Sequence, residues 1–158
     1  MVFWIPDRAE PILLKRNVSQ VKRNSHMKKT DMIGESYQRE KVTGMKFENV
    51  DLSGSLFDGA EIRHTIFINC DLYWARFPFV IFSETNFVNC DLAGASFYDA
   101  SLDNVIFENC NFGKDSLGGS IDMSTVIFKD TEFRNCDVDG IAGLNLGASL
   151  ASCIVNKK

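Results

Sequence analysis

From Phe47 to Phe112 a large apolar residue stands at every fifth position: Phe47, Leu52, Phe57, Ile62, Phe67, Leu72, Phe77, Phe82, Phe87, Leu92, Phe97, Leu102, Phe107 and Phe112. Nine of the 13 phenylalanines fall on this beat, far more than chance would place there. Two residues before each large position stands a small or β-branched one, as in Val50, Ser55, Ala60, Thr65, Cys70, Ala75 and Val80. A period of five fits neither the helical repeat nor simple strand alternation. It fits a chain that turns a corner every five residues and points a small and a large side chain inward on each side. The phrases FINCDL at 67–72, FVNCDL at 87–92, FENCNF at 107–112 and FRNCDV at 133–138 return after 20, 20 and 26 residues. Twenty residues is four steps of the five-residue beat.

The runs VDLSG at 50–54, CDLYW at 70–74, CDLAG at 90–94, ASFYD at 95–99 and ASLDN at 100–104 resemble the pentapeptide-repeat family, whose consensus is A(D/N)LXX. The resemblance implies an all-β fold, a right-handed quadrilateral parallel β-helix with four pentapeptides per coil. Coils would stack about 4.8 Å apart, so about five of them make a rod of roughly 24 Å. Phe47, Phe67, Phe87 and Phe107 then form one internal column, and Leu52, Leu72, Leu92 and Phe112 a second. Each coil buries its apolar residues against its neighbours alone, which makes stability near-additive along the rod. Cys70, Cys90 and Cys110 share a column at the small position, and packing explains them better than redox or metal chemistry.

The return after 26 residues locates an insertion. Carrying the repeat through Asp115 and Leu117 would point a carboxylate into the core, at a large desolvation cost. Letting GKDSLG (113–118) bulge outward instead gives the inward sites to Ile121 and Met123, Val126 and Phe128, Thr131 and Phe133, and Cys136 and Val138. The repetitive body is thus expected over 44–140. Residues 1–43 form a non-repetitive basic leader and cap, within which KKTDMIGESYQREKVTG is a candidate short helix and NVSQVKRNSH reads as flexible. SHM before KKTD is a candidate junction that would make Met27 the native start. Residues 141–158 keep a weak five-residue spacing (Ala148 and Leu150, Cys153 and Val155), as a degenerate final coil, a cap or a self-association surface would.

Charge is unevenly spread. Residues 1–30 carry seven Lys and Arg against two Asp and Glu, whereas residues 44–156 carry six against sixteen, a net −10. An acidic body does not grip phosphate backbones. No apolar run is long enough for a membrane helix, and the charged start is no secretory signal, so a cytoplasmic protein is expected. Five cysteines without a CxxC pair suggest neither a disulfide framework nor a zinc site. His26 and His64 lack any matched nucleophile motif, and GxSxG, P-loop, GxGxxG and HExxH are all missing. The expectation is a non-enzyme with no catalytic, metal or cofactor residues.

The outward positions carry the remaining signal. Most are Asp, Asn, Ser, Glu or Gly, but Tyr73 and Trp74 follow Leu72, and Pro78 and Phe79 follow Phe77. One coil further, Tyr98 is expected to stack on Pro78, and Ile68 beside Val88. Clustered exposed aromatics on a polar rod mark a candidate protein-partner surface: Tyr73, Trp74, Pro78, Phe79 and Tyr98. A rigid interaction module is the first reading, with a terminal coil as a candidate homodimer contact. The second comes from the family, since quinolone-resistance pentapeptide proteins act as acidic DNA mimics on gyrase and topoisomerase IV. The −10 body, the loop that interrupts the coils and the closing stretch DVDGIAGLNLGASL resemble that group.

Overall fold

The computed structural model describes residues 30–138 and 141–144, together with the strands Phe3–Trp4 and Cys153–Asn156. The stretch NVSQVKRNSH, the candidate junction at Met27 and the spacing at Ala148 and Leu150 lie outside these residues. The described chain is all strand and turn, wound as a right-handed quadrilateral β-helix of about five coils with parallel neighbours. No described helix is long and apolar enough to cross a membrane.

Each face is a ladder with a register of 20. On the first, Lys41–Thr43 pairs with Glu61–Arg63, which pairs with Ile81 to Ser83 and then Ser101 to Asp103. On the second, Phe47 lies beside Phe67, Phe87 and Phe107 in turn. The third runs Asp51, Asp71, Asp91, Asn111, and the fourth Ser36, Leu56, Arg76, Ser96. The strand Phe3–Trp4 adds antiparallel to the outer edge of the second face, at Met45 and Lys46.

The corners explain the period. From Gly34 to Asn109 every fifth residue has positive φ, and Asp130 and Asn135 resume the series after the insertion. Glycine takes this backbone freely and Asn or Asp take it with local hydrogen bonds, which accounts for the N in FINCDL. Asn49, Asn69 and Asn89 also bond one another in a ladder, at 3.2 and 3.1 Å.

Inside, the rings form two ladders. Phe47, Phe67, Phe87, Phe107 and Phe133 stack at 4.7–4.9 Å between centroids, and Tyr37, Phe57, Phe77 and Phe97 at 4.7–5.1 Å. These spacings are the strand-to-strand distance, so the backbone ladder sets the ring ladder. The two ladders meet edge to face, as Phe77 and Phe87 do at 6.4 Å and 79°, the geometry that aromatic quadrupoles favour. The small positions hook each coil to the one below. Thr85 Oγ1 donates to Ile62 O at 3.2 Å, and Cys90 Sγ faces Phe67 O at 3.4 Å. The hydrogen bond to the next thiol, then burial, push Cys90 and Cys110 up to about 12, so both pack as neutral thiols.

One end differs from the sequence expectation. Residues 30–43 hold no helix: Thr30 pairs with Val50, Ser36 with Leu56 and Val42 with Ile62, so the ladder reaches back through this stretch. At the other end Cys153 is in register with Thr131 and Val155 with Phe133.

Beyond Phe112 the register lengthens. Phe128 pairs with Leu102, Phe133 with Phe107 and Asp137 with Asn111, a register of 26. Ile121, Met123, Val126, Thr131, Cys136 and Val138 are buried and Phe128 is half-buried against the core, while residues 113–120 stay on the surface.

Candidate functional site

The outward aromatics occupy two consecutive corners of the coil that begins at Asp71. Along the first corner the left-handed residues are Gly54, Trp74 and Gly94, and along the second Gly59, Phe79 and Asp99. A side chain with a Cβ costs roughly 1–2 kcal/mol in this backbone. Trp74 and Phe79, at φ 56° and 58°, are bulky residues where neighbouring coils use glycine or aspartate. Such outliers persist where something over-determines them, and they concentrate at functional positions. Arg39, His64 and Glu84 share the feature elsewhere on the rod, and His64 and Glu84 approach each other at 3.1 Å.

At the first corner the compensating contacts are internal. The Trp74 indole lies across Gly94, where a Cβ would overlap it. Its Nε1–H donates to Asp115 Oδ2 at 3.1 Å. Asp115 also organises the inserted loop, because its Oδ1 accepts the Leu117 and Gly119 N–H groups at 2.9 and 2.7 Å. The Gly119 amide is the main cause that holds the Asp115 carboxyl below its ordinary range, followed by the Leu117 amide and the Trp74 indole N–H. The Tyr73 hydroxyl donates to Ser116 Oγ at 2.8 Å and accepts the Ser116 N–H at 3.0 Å. Tyr73 and Trp74 stack nearly parallel, 5.6 Å apart. The loop thus folds back over a corner two coils distant in sequence.

At the second corner there is no such cover among the described residues. Phe79 is 58% exposed and Tyr98 53% exposed, and their rings meet edge to face at 5.6 Å and 89°. Pro78, expected to face outward, is buried beneath this edge. The Tyr98 ring meets that of Phe79, the neighbour of Pro78. Exposed Ile81 and Ile127 continue the apolar surface onto the adjoining face, where both align with Ser101. Sequence reasoning passed over these two isoleucines. Their signal was an apolar residue directly before an inward position, on a face otherwise polar. Ile68 and Val88 are neighbours in register on the second face, half-buried and apart from this edge.

The five residues singled out from the sequence therefore do not form one patch. Tyr73 and Trp74, the latter still 44% exposed, belong to a corner that the inserted loop contacts, and Phe79 and Tyr98 to one that it does not. The acidic column on the third face also has a structural use. Asp51, Asp71 and Asp91 each accept the N–H two residues on, at 3.0 Å, and so shape the turn that follows.

A family model described as a pentapeptide repeat region matches residues 60–142. Among solved structures the chain is similar to full-length QnrB1, a plasmid-mediated fluoroquinolone resistance protein, at 18% identity over 79% of this chain and 70% of that one, with a TM-score of 0.41. It is similar to a pentapeptide repeat protein of the Arabidopsis thaliana thylakoid lumen at 16% identity over 78% and 86%, with a TM-score of 0.35. HetL, a pentapeptide repeat protein involved in heterocyst differentiation regulation in the cyanobacterium Nostoc sp. strain PCC 7120, matches at 14% over 82% and 73%, with a TM-score of 0.28. No curated protein matches the chain.

Proposed function

The chain belongs to the pentapeptide-repeat family, and from that premise we propose that it acts as a rigid, non-catalytic protein-binding module whose contact surface is the Phe79 corner. The observation that carries this reading is a bulky ring held in left-handed backbone, half out in solvent, with Tyr98 against it and the exposed Ile81 and Ile127 on the adjoining face. A rigid scaffold that presents pre-positioned aromatics loses little entropy on docking. The column cysteines are free thiols, in keeping with a reducing, cytoplasmic setting. The test is affinity capture from the native source with the parent protein, Phe79→Gly and Trp74→Gly. Capture that survives Trp74→Gly and fails with Phe79→Gly is the expected result. Capture undiminished by Phe79→Gly would sink the assignment.

A second reading is the acidic DNA mimic acting on a type II topoisomerase. It is supported by the net −10 of residues 44–156 and by the aspartates stacked coil upon coil on the third face. A gyrase supercoiling assay with and without ciprofloxacin separates the two readings. Neither inhibition nor protection at micromolar protein removes the mimic. Self-association through a terminal coil is a separate proposal, read as a concentration-dependent mass in sedimentation.

A further inference from the structure

The second face of the rod differs from the other three in what it shows to solvent. Its outward residues stand in two columns, in register coil upon coil. One reads Lys46, Ile66, Asn86, Ile106 and Glu132, and the other Glu48, Ile68, Val88, Glu108 and Arg134. The third face shows Asp51, Asp71, Asp91 and Asn111, and the fourth Ser36, Leu56, Arg76 and Ser96. On the first, Ile81 and Ile127 are separated by Ser101. The second face thus gathers four branched aliphatics over its middle three coils, Ile66, Ile68, Val88 and Ile106, each half-buried. Aliphatics grouped on an outward sheet face mark an interaction surface. Opposed charges sit at both ends. Lys46 and Glu48 pair at 3.0 Å in the first coil, and Arg134 and Glu132 at 2.6 Å in the last.

The order of these residues is two-fold symmetric. When a second copy is turned over so that the two Asn86–Val88 strands oppose each other, strands aligned and coil order reversed, Lys46 faces Glu132 of that copy and Glu48 faces its Arg134. Ile66 then faces Ile106, and Asn86 and Val88 each face their own counterparts. Ile68 against Glu108 is the one unlike pair. Every contact is reciprocal, as an isologous interface requires. Rods placed side by side with coil order kept would set Lys46 against Glu48 and Ile66 against Ile68, but Asn86 would meet Val88 and Ile106 would meet Glu108. The reversed order leaves fewer mismatches. With two cations and three carboxylates, this face also carries little of the net −10 that makes the body repel its own kind.

We propose that the second face is a self-association surface, on which two copies pack with coil order reversed about a two-fold axis along Asn86 and Val88. The aliphatics exclude water at the centre, and a four-charge cluster closes each end. A face of about five strands is about 24 Å long, which makes the contact small beside stable interfaces, so the pair exchanges with monomer. The contact is separate from the terminal coil. It is separate too from the Phe79 corner, which lies between the fourth and first faces, so a dimer presents two such corners.

Sedimentation of the full chain over a concentration series reads the association, and the parent should rise towards the dimer mass. Val88→Lys brings two ammonium groups together on the axis and should abolish that rise, with the thermal midpoint of the dilute protein kept. Lys46→Glu combined with Glu48→Lys exchanges the charges of one end while preserving an ion pair within the chain. It should raise Kd about tenfold or more, because four contacts across the pair become repulsive. Adding Glu132→Lys and Arg134→Glu reverses the other end and should restore association to nearly that of the parent. The side-by-side arrangement would leave the first exchange without effect, and a terminal-coil contact would ignore Val88→Lys. Either result overturns the proposal, as does a parent that stays monomeric at millimolar concentration or a fourfold variant that fails to recover.

Discussion

Trp74 and Phe79 stand at consecutive corners of one coil, five residues apart, with φ of 56° and 58°, yet the chain treats them oppositely. Trp74 is laid over Gly94 and tied to Asp115 of the inserted loop. Phe79 meets Tyr98 and otherwise faces solvent. Similar backbone strain is offset inside the molecule at one corner and left without an internal partner of comparable size at the other. An insertion in a repeat protein, on this comparison, acts as a built-in ligand for one corner and leaves its neighbour available.

The harshest way to break the comparison is to remove what both corners share. Phe77 lies between them in sequence, fully buried, with Phe57 and Phe97 stacked at 5.0 and 5.1 Å. Phe77→Ala should cost about 3–5 kcal/mol, lowering the denaturation midpoint and loosening both corners together. Amide exchange that rises at one corner alone would show that the coil is not the common support.

The next test separates them. Phe79→Gly relieves left-handed strain but loses a ring contact and raises the freedom of the unfolded chain, so its net effect on stability should lie within about 1 kcal/mol of zero. Trp74→Gly gains the same relief but loses the Tyr73 stack and the loop tether. It should be less stable than Phe79→Gly by on the order of 1 kcal/mol. Denaturant titration of the pair gives the answer, and equal midpoints would mean that the closed corner gains nothing from its loop.

How far the sequence revealed these corners depends on which contacts repeat. The inward pulse was legible because every coil imposes the same two inward sites on each side. The insertion was legible because six extra residues cannot be hidden in a strict register and Asp115 cannot point inward. The first coil was missed although Met32, Tyr37 and Val42 keep the beat and Tyr37 stacks on Phe57 at 4.7 Å. Its small positions hold Glu35 and Glu40, which remain partly or wholly exposed there, so the consensus is blurred at the end of the rod. The left-handed corners were in plain sight as Gly, Asn or Asp at most of the fifth places, against which Trp74 and Phe79 stand out together with Arg39, His64 and Glu84. The closing of Trp74 was not legible, because Asp115 lies 41 residues away and reaches it through a loop that follows no repeat.

The closed corner should also respond to acid. Because its folded carboxyl titrates below the ordinary range, Asp115 stabilises the loop fully above the unfolded value. That contribution fades as pH falls below about 4. With Trp4→Phe leaving Trp74 as the single indole, its fluorescence should shift in this range before global unfolding, and Asp115→Ala should show the acid spectrum already at neutral pH. Amides around Phe79 should not follow. A Trp74 signal that moves only with global unfolding would mean that the carboxylate does not hold the loop.

The mildest change tests whether closure is a set of separable bonds. Tyr73→Phe keeps the ring stacked on Trp74 and deletes only the hydroxyl that exchanges two hydrogen bonds with Ser116, at 2.8 and 3.0 Å. Since water replaces part of what is lost at an exposed site, the cost should be about 0.5 kcal/mol. The signature is faster exchange of the Ser116 amide, with the Trp74 contact to Asp115 intact. Combined with Phe79→Gly, the two effects should add, because the side chains share no partner. Combined with Asp115→Ala they should not, since a loop already released from Trp74 no longer presents Ser116 to Tyr73. Additivity in both pairs would make the loop a passive neighbour of the corner. Additivity in the first pair alone would make it the internal occupant that Phe79 lacks.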